Sequence, residues 1–141
     1  MNPWLYQMAE DEDWTPEDFR LTVWEGDTVT WSQKKIMPAG SHKPEPGDPI
    51  VFIFAKSRTK APGICGWGVI LKVYAKKEEF SFRAVPPTDV LKMSPIWDNE
   101  VEDLINQVRG PHPRGTTWAM SADAYASFAR RIRGYGSSAR A

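Results

Sequence analysis

The sequence is poor in cysteine, histidine and net charge. One cysteine, Cys65, stands among 141 residues, which excludes a disulfide scaffold and fits a reducing, cytoplasmic setting. The two histidines, His42 and His112, sit in separate Pro-rich stretches. One Cys and two His supply too few soft ligands for a zinc site, and no local Cys–His pair is present. The sequence therefore predicts no metal and no cofactor. Eighteen Lys and Arg balance eighteen Asp and Glu, which excludes a generally sticky polycation. No run approaches the ~18–20 apolar residues of a membrane span; the longest, Pro49–Ala55, has the length of a strand. The opening Met1–Gln7 has no basic region or cleavage site, so no secretory leader and no membrane partner are expected. There is no internal repeat, no P-loop and no G-x-S-x-G elbow. Gly63-Ile64-Cys65-Gly66-Trp67-Gly68 reads G-x-x-G-x-G, the wrong order for a dinucleotide fingerprint.

What is present fits one folded domain. The length suits a single core, with 1–133 as the domain and the small-residue stretch 134–141 as a flexible tail. The neutral charge total conceals a sorting along the chain. Residues 1–27 carry eight acids and one base; residues 28–77 carry nine bases and two acids. Residues 78–108 are acidic again, seven to two, and residues 109–141 are basic, six to one, with every base an Arg. A neutral chain can thus present one positive face.

The element pattern is mixed. Residues 3–8 read as a strand around Trp4 and Tyr6. Thr15-Pro16-Glu17-Asp18 carries the signals of a helix start, which Gly26 would end. Thr28–Ser32 is β-branched and aromatic, hence extended. Residues 37–48 form a Pro-rich loop. Ile50–Ala55 is a buried strand, residues 57–63 a basic hairpin loop, and Ile64–Tyr74 a long strand whose glycines mark a bulge or a close backbone approach. Phe80–Val85 returns. Asp98 caps a helix bearing Val101, Leu104, Ile105 and Val108 on one stripe, ended by Gly110. Thr116–Met120 is extended, and Ser121 caps a last helix with Tyr125, Phe128, Ala129 and Ile132 inward.

Seven tryptophans are the unusual quantity. Most must build the core, since Trp is large and mainly buried. Trp31 and Trp67 draw interest because bases surround them: Trp31 precedes Ser32, Lys34 and Lys35, and Trp67 follows the Lys56–Lys60 loop. Aromatics among bases suit base stacking beside phosphate contacts.

Three pieces resemble the EVE domain of the PUA-like superfamily, to which ASCH and YTH domains also belong. They are Trp4-Leu5-Tyr6, the Gly47-Asp48 turn with the strand through Ala55, and Gly63–Ile70. Arg114–Ser121 followed by a helix is similar to the C-terminal edge of that family. Trp31-Ser32, a basic loop and then Ile50–Ala55 looks like the Trp-Ser and following strand of YTH domains. The Pro-rich loop 37–48 departs from the pattern. The resemblance implies an α+β fold: a small mixed or antiparallel β-barrel with flanking helices. It also implies a non-catalytic module that takes a flipped, modified base of DNA or RNA into an aromatic pocket. The expected pocket is Trp31 as stacking platform and Ser32 as polar contact, with Trp67 as second wall and Trp24 as a further one. Lys34, Lys35, Lys56, Arg58 and Lys60 would hold phosphate.

Two other classes stay open. ASCH relatives imply an amidohydrolase acting on a modified nucleoside, for which Lys56 or Lys60 near Thr59 offers the residue types. A protein-interaction module of a defence or toxin–antitoxin system would need a protein partner and no base pocket.

Overall fold

Alternation of side chains along the strands builds two layers on one sheet. The computed structural model describes residues 2–8, 15, 17, 29–31, 44–54, 62–74, 79–84, 95–110 and 117–133. Most of the helix expected from Thr15, most of the Pro-rich and hairpin loops, and the tail 134–141 lie outside these residues. Six strands, β1 (Trp4–Met8), β2 (Val29–Trp31), β3 (Pro49–Phe54), β4 (Gly63–Tyr74), β5 (Glu79–Ala84) and β6 (Thr117–Ala119), form a sheet in the order β2-β5-β4-β3-β1-β6. Two helices follow the hairpins, α1 (Asn99–Arg109) and α2 (Ala122–Ile132).

The sheet is mixed. β1 runs parallel to β3, and every other pairing is antiparallel. Among the described residues β2 and β6 remain as free edges, so the expected barrel is corrected to an open sheet. Both edge strands are only three residues long, which leaves little ladder with which to close a ring. The α+β class stands.

Period-2 alternation sends Trp4, Tyr6 and Met8 of β1 to one face and Leu5 to the other. On β3, Ile50, Phe52 and Phe54 share the first face, and Val51 and Ile53 the second. Two register shifts keep β4 in step with both layers. One lies between Phe52 and Ile53, where Cys65 is the extra residue, and the other between Ile70 and Lys72, where Leu71 is. Without them the alternation of the long strand would carry apolar side chains to the wrong face.

The glycines of β4 serve close backbone approach. A Cβ on Gly63, whose φ is +120°, would lie 2.1 Å from the carbonyl oxygen of Ile96; one on Gly68 would lie 2.4 Å from that of Arg83. The first contact belongs to a reciprocal pair of backbone hydrogen bonds, Ile64 to Ile96 at 3.0 Å and Ile96 to Ile64 at 2.9 Å.

Both helices start and stop as their sequences predict. Asp98 Oδ1 accepts from the Val101 amide at 2.9 Å and Ser121 Oγ from the Ala124 amide at 3.1 Å. Gly110 closes α1 by donating to the Asn106 carbonyl at 2.9 Å. The buried stripe of α1 (Val101, Ile105) and that of α2 (Phe128, Ala129, Ile132) pack on Leu5, Val51, Ile53, Ile64, Trp67 and Trp118. Arg131 of α2 pairs with Asp98 at the start of α1 and approaches Glu100 at 3.7 Å, tying the C-terminus of one helix to the N-terminus of the other.

Candidate nucleic-acid interface

A stacking site for a base needs an aromatic face that a strand can deliver to the rim of the fold. Among the described residues β2 ends the sheet and pairs with β5, in the register Val29–Phe82, Thr30–Ser81 and Trp31–Phe80. Trp31 therefore sits directly opposite Phe80. Phe80 belongs to a layer of aromatic rings that, among the described residues, comes from strands. Its centroid is 5.7 Å from Tyr6 and 5.9 Å from Phe82, and Phe82 is 4.6 Å from Phe52, in tilted and edge-on contacts. Such contacts add to the stabilisation that burial alone provides.

Trp67 occupies the other layer. It is 8% exposed, packed with the residues of α1 and α2. Its ring lies 6.3 Å from that of Tyr125, and the Arg133 guanidinium stands 5.4 Å over it. Its indole N–H is buried without a hydrogen-bond partner. The structure thus puts Trp67 on the helix-covered face, opposite to the face of Phe80, the strand partner of Trp31. Of the other expected site residues, Ser32, Trp24, Lys34, Lys35, Lys56, Arg58 and Lys60 lie outside the described residues, as does Thr59.

The Gly47-Asp48 pair has a clear structural task. Gly47 has φ +93°, a conformation that favours glycine. Asp48 is 3% exposed. Its carboxylate accepts from the Trp4 indole N–H at 2.8 Å, the Asn2 amide at 3.1 Å and the Glu45 amide at 2.9 Å. One buried charge, satisfied by three donors, clamps the start of β1 to the start of β3. The parallel pairing of these two strands follows from that clamp and from their shared apolar faces.

Cys65 has no reactive character. Burial pushes its thiol well above the ordinary thiol range, its backbone hydrogen bond acting in the other direction; Sγ–H donates to the Phe52 carbonyl at 3.4 Å. A thiol held neutral is a poor nucleophile. Burial also raises the Tyr125 phenol, and the charge of Arg133 partly offsets this. Among the described residues no group of three His, Cys, Asp or Glu side chains could hold a metal ion. None of the described helices is long and apolar enough to cross a membrane.

Three surface bases were not singled out by their place in the sequence: Lys72, Arg83 and Arg133. Lys72 and Arg83 come together through strand pairing and Arg133 through the seat of α2 on Trp67, which no local pattern displays.

The described elements define a β-sheet-rich α+β protein, and comparison with solved structures places that fold. The chain is similar to a hypothetical protein from Leishmania major at 16% identity and TM-score 0.57, over 94% of each chain. It is similar to a protein from Pseudomonas syringae at 14% identity and TM-score 0.55, over 92% of this chain and 99% of that one. It is also similar to human THYN1, solved in complex with DNA containing 5-methylcytosine, at 11% identity and TM-score 0.56, over 95% of this chain and 98% of that one. These likenesses show a shared fold. No family model matches the sequence, and no curated protein does.

Proposed function

We propose that this protein is an EVE-type, PUA-like module that binds nucleic acid and reads a modified base without catalysing a reaction. The observation that carries the reading is the place of Trp31: on a strand that ends the sheet among the described residues, in register with Phe80 of the aromatic layer. The similar fold of human THYN1, in complex with DNA containing 5-methylcytosine, supports the same reading. A base drawn out of its strand loses a few kcal/mol of stacking, which an aromatic platform offsets. Trp31 supplies that platform, Ser32 a hydrogen bond to the base edge, and Trp24 a further wall. Trp67 supports the sheet from the opposite layer. Lys34, Lys35, Lys56, Arg58 and Lys60 contact phosphate, giving affinity that falls with salt and carries no sequence preference.

The test is a fluorescence-anisotropy panel of DNA and RNA oligonucleotides, plain or carrying one modified base, 5-methylcytosine among them. One added methyl in an apolar pocket gives a preference of about tenfold or more. Equal binding of every modified and plain pair overturns the reading. Lys34→Ala combined with Lys56→Ala weakens all oligonucleotides alike and lowers the slope of log affinity against log salt by about two, one per phosphate contact.

A further inference from the structure

The helix-covered face of the sheet does not end at the helices. Beyond Trp67, β4 and β5 continue, and their register decides which side chains share that face. Ile70 lies opposite Phe82 and Val73 opposite Phe80, all four in or against the aromatic layer. The pairs between them must therefore point the other way. These are Val69 with Arg83 and Lys72 with Ser81; Tyr74 follows on the same face, in backbone register with Glu79. Val69 is 38% exposed and Tyr74 39%, the two large apolar side chains left open among the described residues. Arg83 and Lys72 are exposed as well, and neither has an acidic partner among the described residues.

Arg133 extends the same line. Its guanidinium lies over Trp67, two residues before Val69 on the same face of β4. Along the strands the order is Trp67 beneath Arg133, then the Val69–Arg83 pair, then the Lys72–Ser81 pair, and last Tyr74, in register with Glu79.

We propose that this strip on β4 and β5 is a second contact surface for the nucleic-acid backbone, on the face opposite the aromatic layer. It rests on the reading of the protein as a nucleic-acid binder. The occupant follows from charge: three cations against one acid in register, Glu79, with an exposed tyrosine at the end of the row, complement a chain of phosphates whose bases can lie on an aromatic surface. The strip carries no groups that would distinguish one base from another. Its contribution is affinity, and discrimination stays with Trp31.

The experiment compares the full chain with Lys72→Ala combined with Arg83→Ala. Both side chains are exposed, and the variant's circular dichroism and melting curve should match the wild type. The probe is a 20-nucleotide single strand, plain or carrying the modified base preferred by the wild type, titrated at two salt concentrations. The double variant is expected to bind both oligonucleotides more weakly by the same factor, leaving their ratio unchanged. Its salt slope falls by about two, so a threefold rise in salt narrows the gap to wild type about ninefold. If wild type binds and the double variant keeps its affinity and slope, the strip is not a phosphate contact, and an acidic protein becomes its partner. If wild type binds no oligonucleotide at low salt, the underlying reading fails and the strip falls with it.

Discussion

The two faces of the sheet are built from the same strands by opposite means. Among the described residues Trp4, Tyr6, Phe52, Phe54, Phe80 and Phe82 make one layer from strands. Leu5, Val51, Ile53 and Ile64 make the other with the help of helix stripes, of Ile96 and of Trp118. Neighbouring residues on β1 and β3 choose between them, so one apolar run such as Pro49–Phe54 is buried along its whole length. The comparison teaches where recognition can sit. The helix-covered layer is closed over by α1 and α2 and opens to solvent only beyond them. The aromatic layer extends to the free edge at β2, and there the register places Trp31.

Substitutions can separate the two layers. The largest effect is expected at Gly63, which joins the helix-covered side to the segment leading into α1. Gly63→Ala adds a Cβ 2.1 Å from a backbone oxygen at a positive φ. Strain and overpacking together should cost several kcal/mol, about 2–5, and yield of soluble protein should drop. Phe52→Ala, in the aromatic layer, should cost about 3–5 kcal/mol, while Ile53→Val beside it in the other layer should cost about 0.5–1.5, both read by urea denaturation. Equal losses would mean that the layers are not packed as distinct units.

Asp48→Asn is the next smaller change. It leaves the Trp4 and backbone donors with a neutral acceptor, at a cost of about 1.5–3 kcal/mol. Its readout is the denaturation midpoint together with amide exchange at β1.

Alkaline pH should act through Cys65. The thiol is raised in the folded state, so the unfolded chain gives up its proton first as pH climbs. The stabilisation from the neutral thiol is complete below the ordinary thiol value of about 8.5 and is lost above it. Tyr125, raised in the same sense, adds to the loss above about 10. Cys65→Ala should flatten the first part of the stability–pH curve, and native Cys65 should react with a thiol reagent only through unfolding. Arg131→Ala is expected to have the smallest effect, about 0.2–1 kcal/mol in melting experiments, because its partners Asp98 and Glu100 are partly exposed.

Local signals carried much of this fold. Asp98 and Ser121 announce helix starts, Gly110 announces an end, and the 3.6-residue stripes name the buried faces of both helices. Strand positions were legible from β-branched and aromatic runs. The topology was not. The parallel pairing of β1 with β3 depends on Asp48 reaching Trp4 across a sequence separation of 44, and no local pattern records that. The bulges at Cys65 and Leu71 were hidden for the same reason: an extra residue is visible only against its partner strand. Trp67, flanked by glycines and near a basic loop, lies on the helix-covered face, with the Tyr125 ring beside it and Arg133 over it. Arg83 and Lys72 were brought near each other only by strand pairing, and Arg133 toward Trp67 only by the packing of α2.

The most direct measurement is the ratio of dissociation constants for plain over modified oligonucleotide in Trp31→Ala and in Trp67→Phe. Base reading at the β2 edge predicts that the ratio falls to about one in Trp31→Ala, a loss of the roughly tenfold discrimination that one methyl provides, and stays at the wild-type value in Trp67→Phe. A ratio kept by Trp31→Ala and lost by Trp67→Phe would move recognition to the helix-covered face and contradict it.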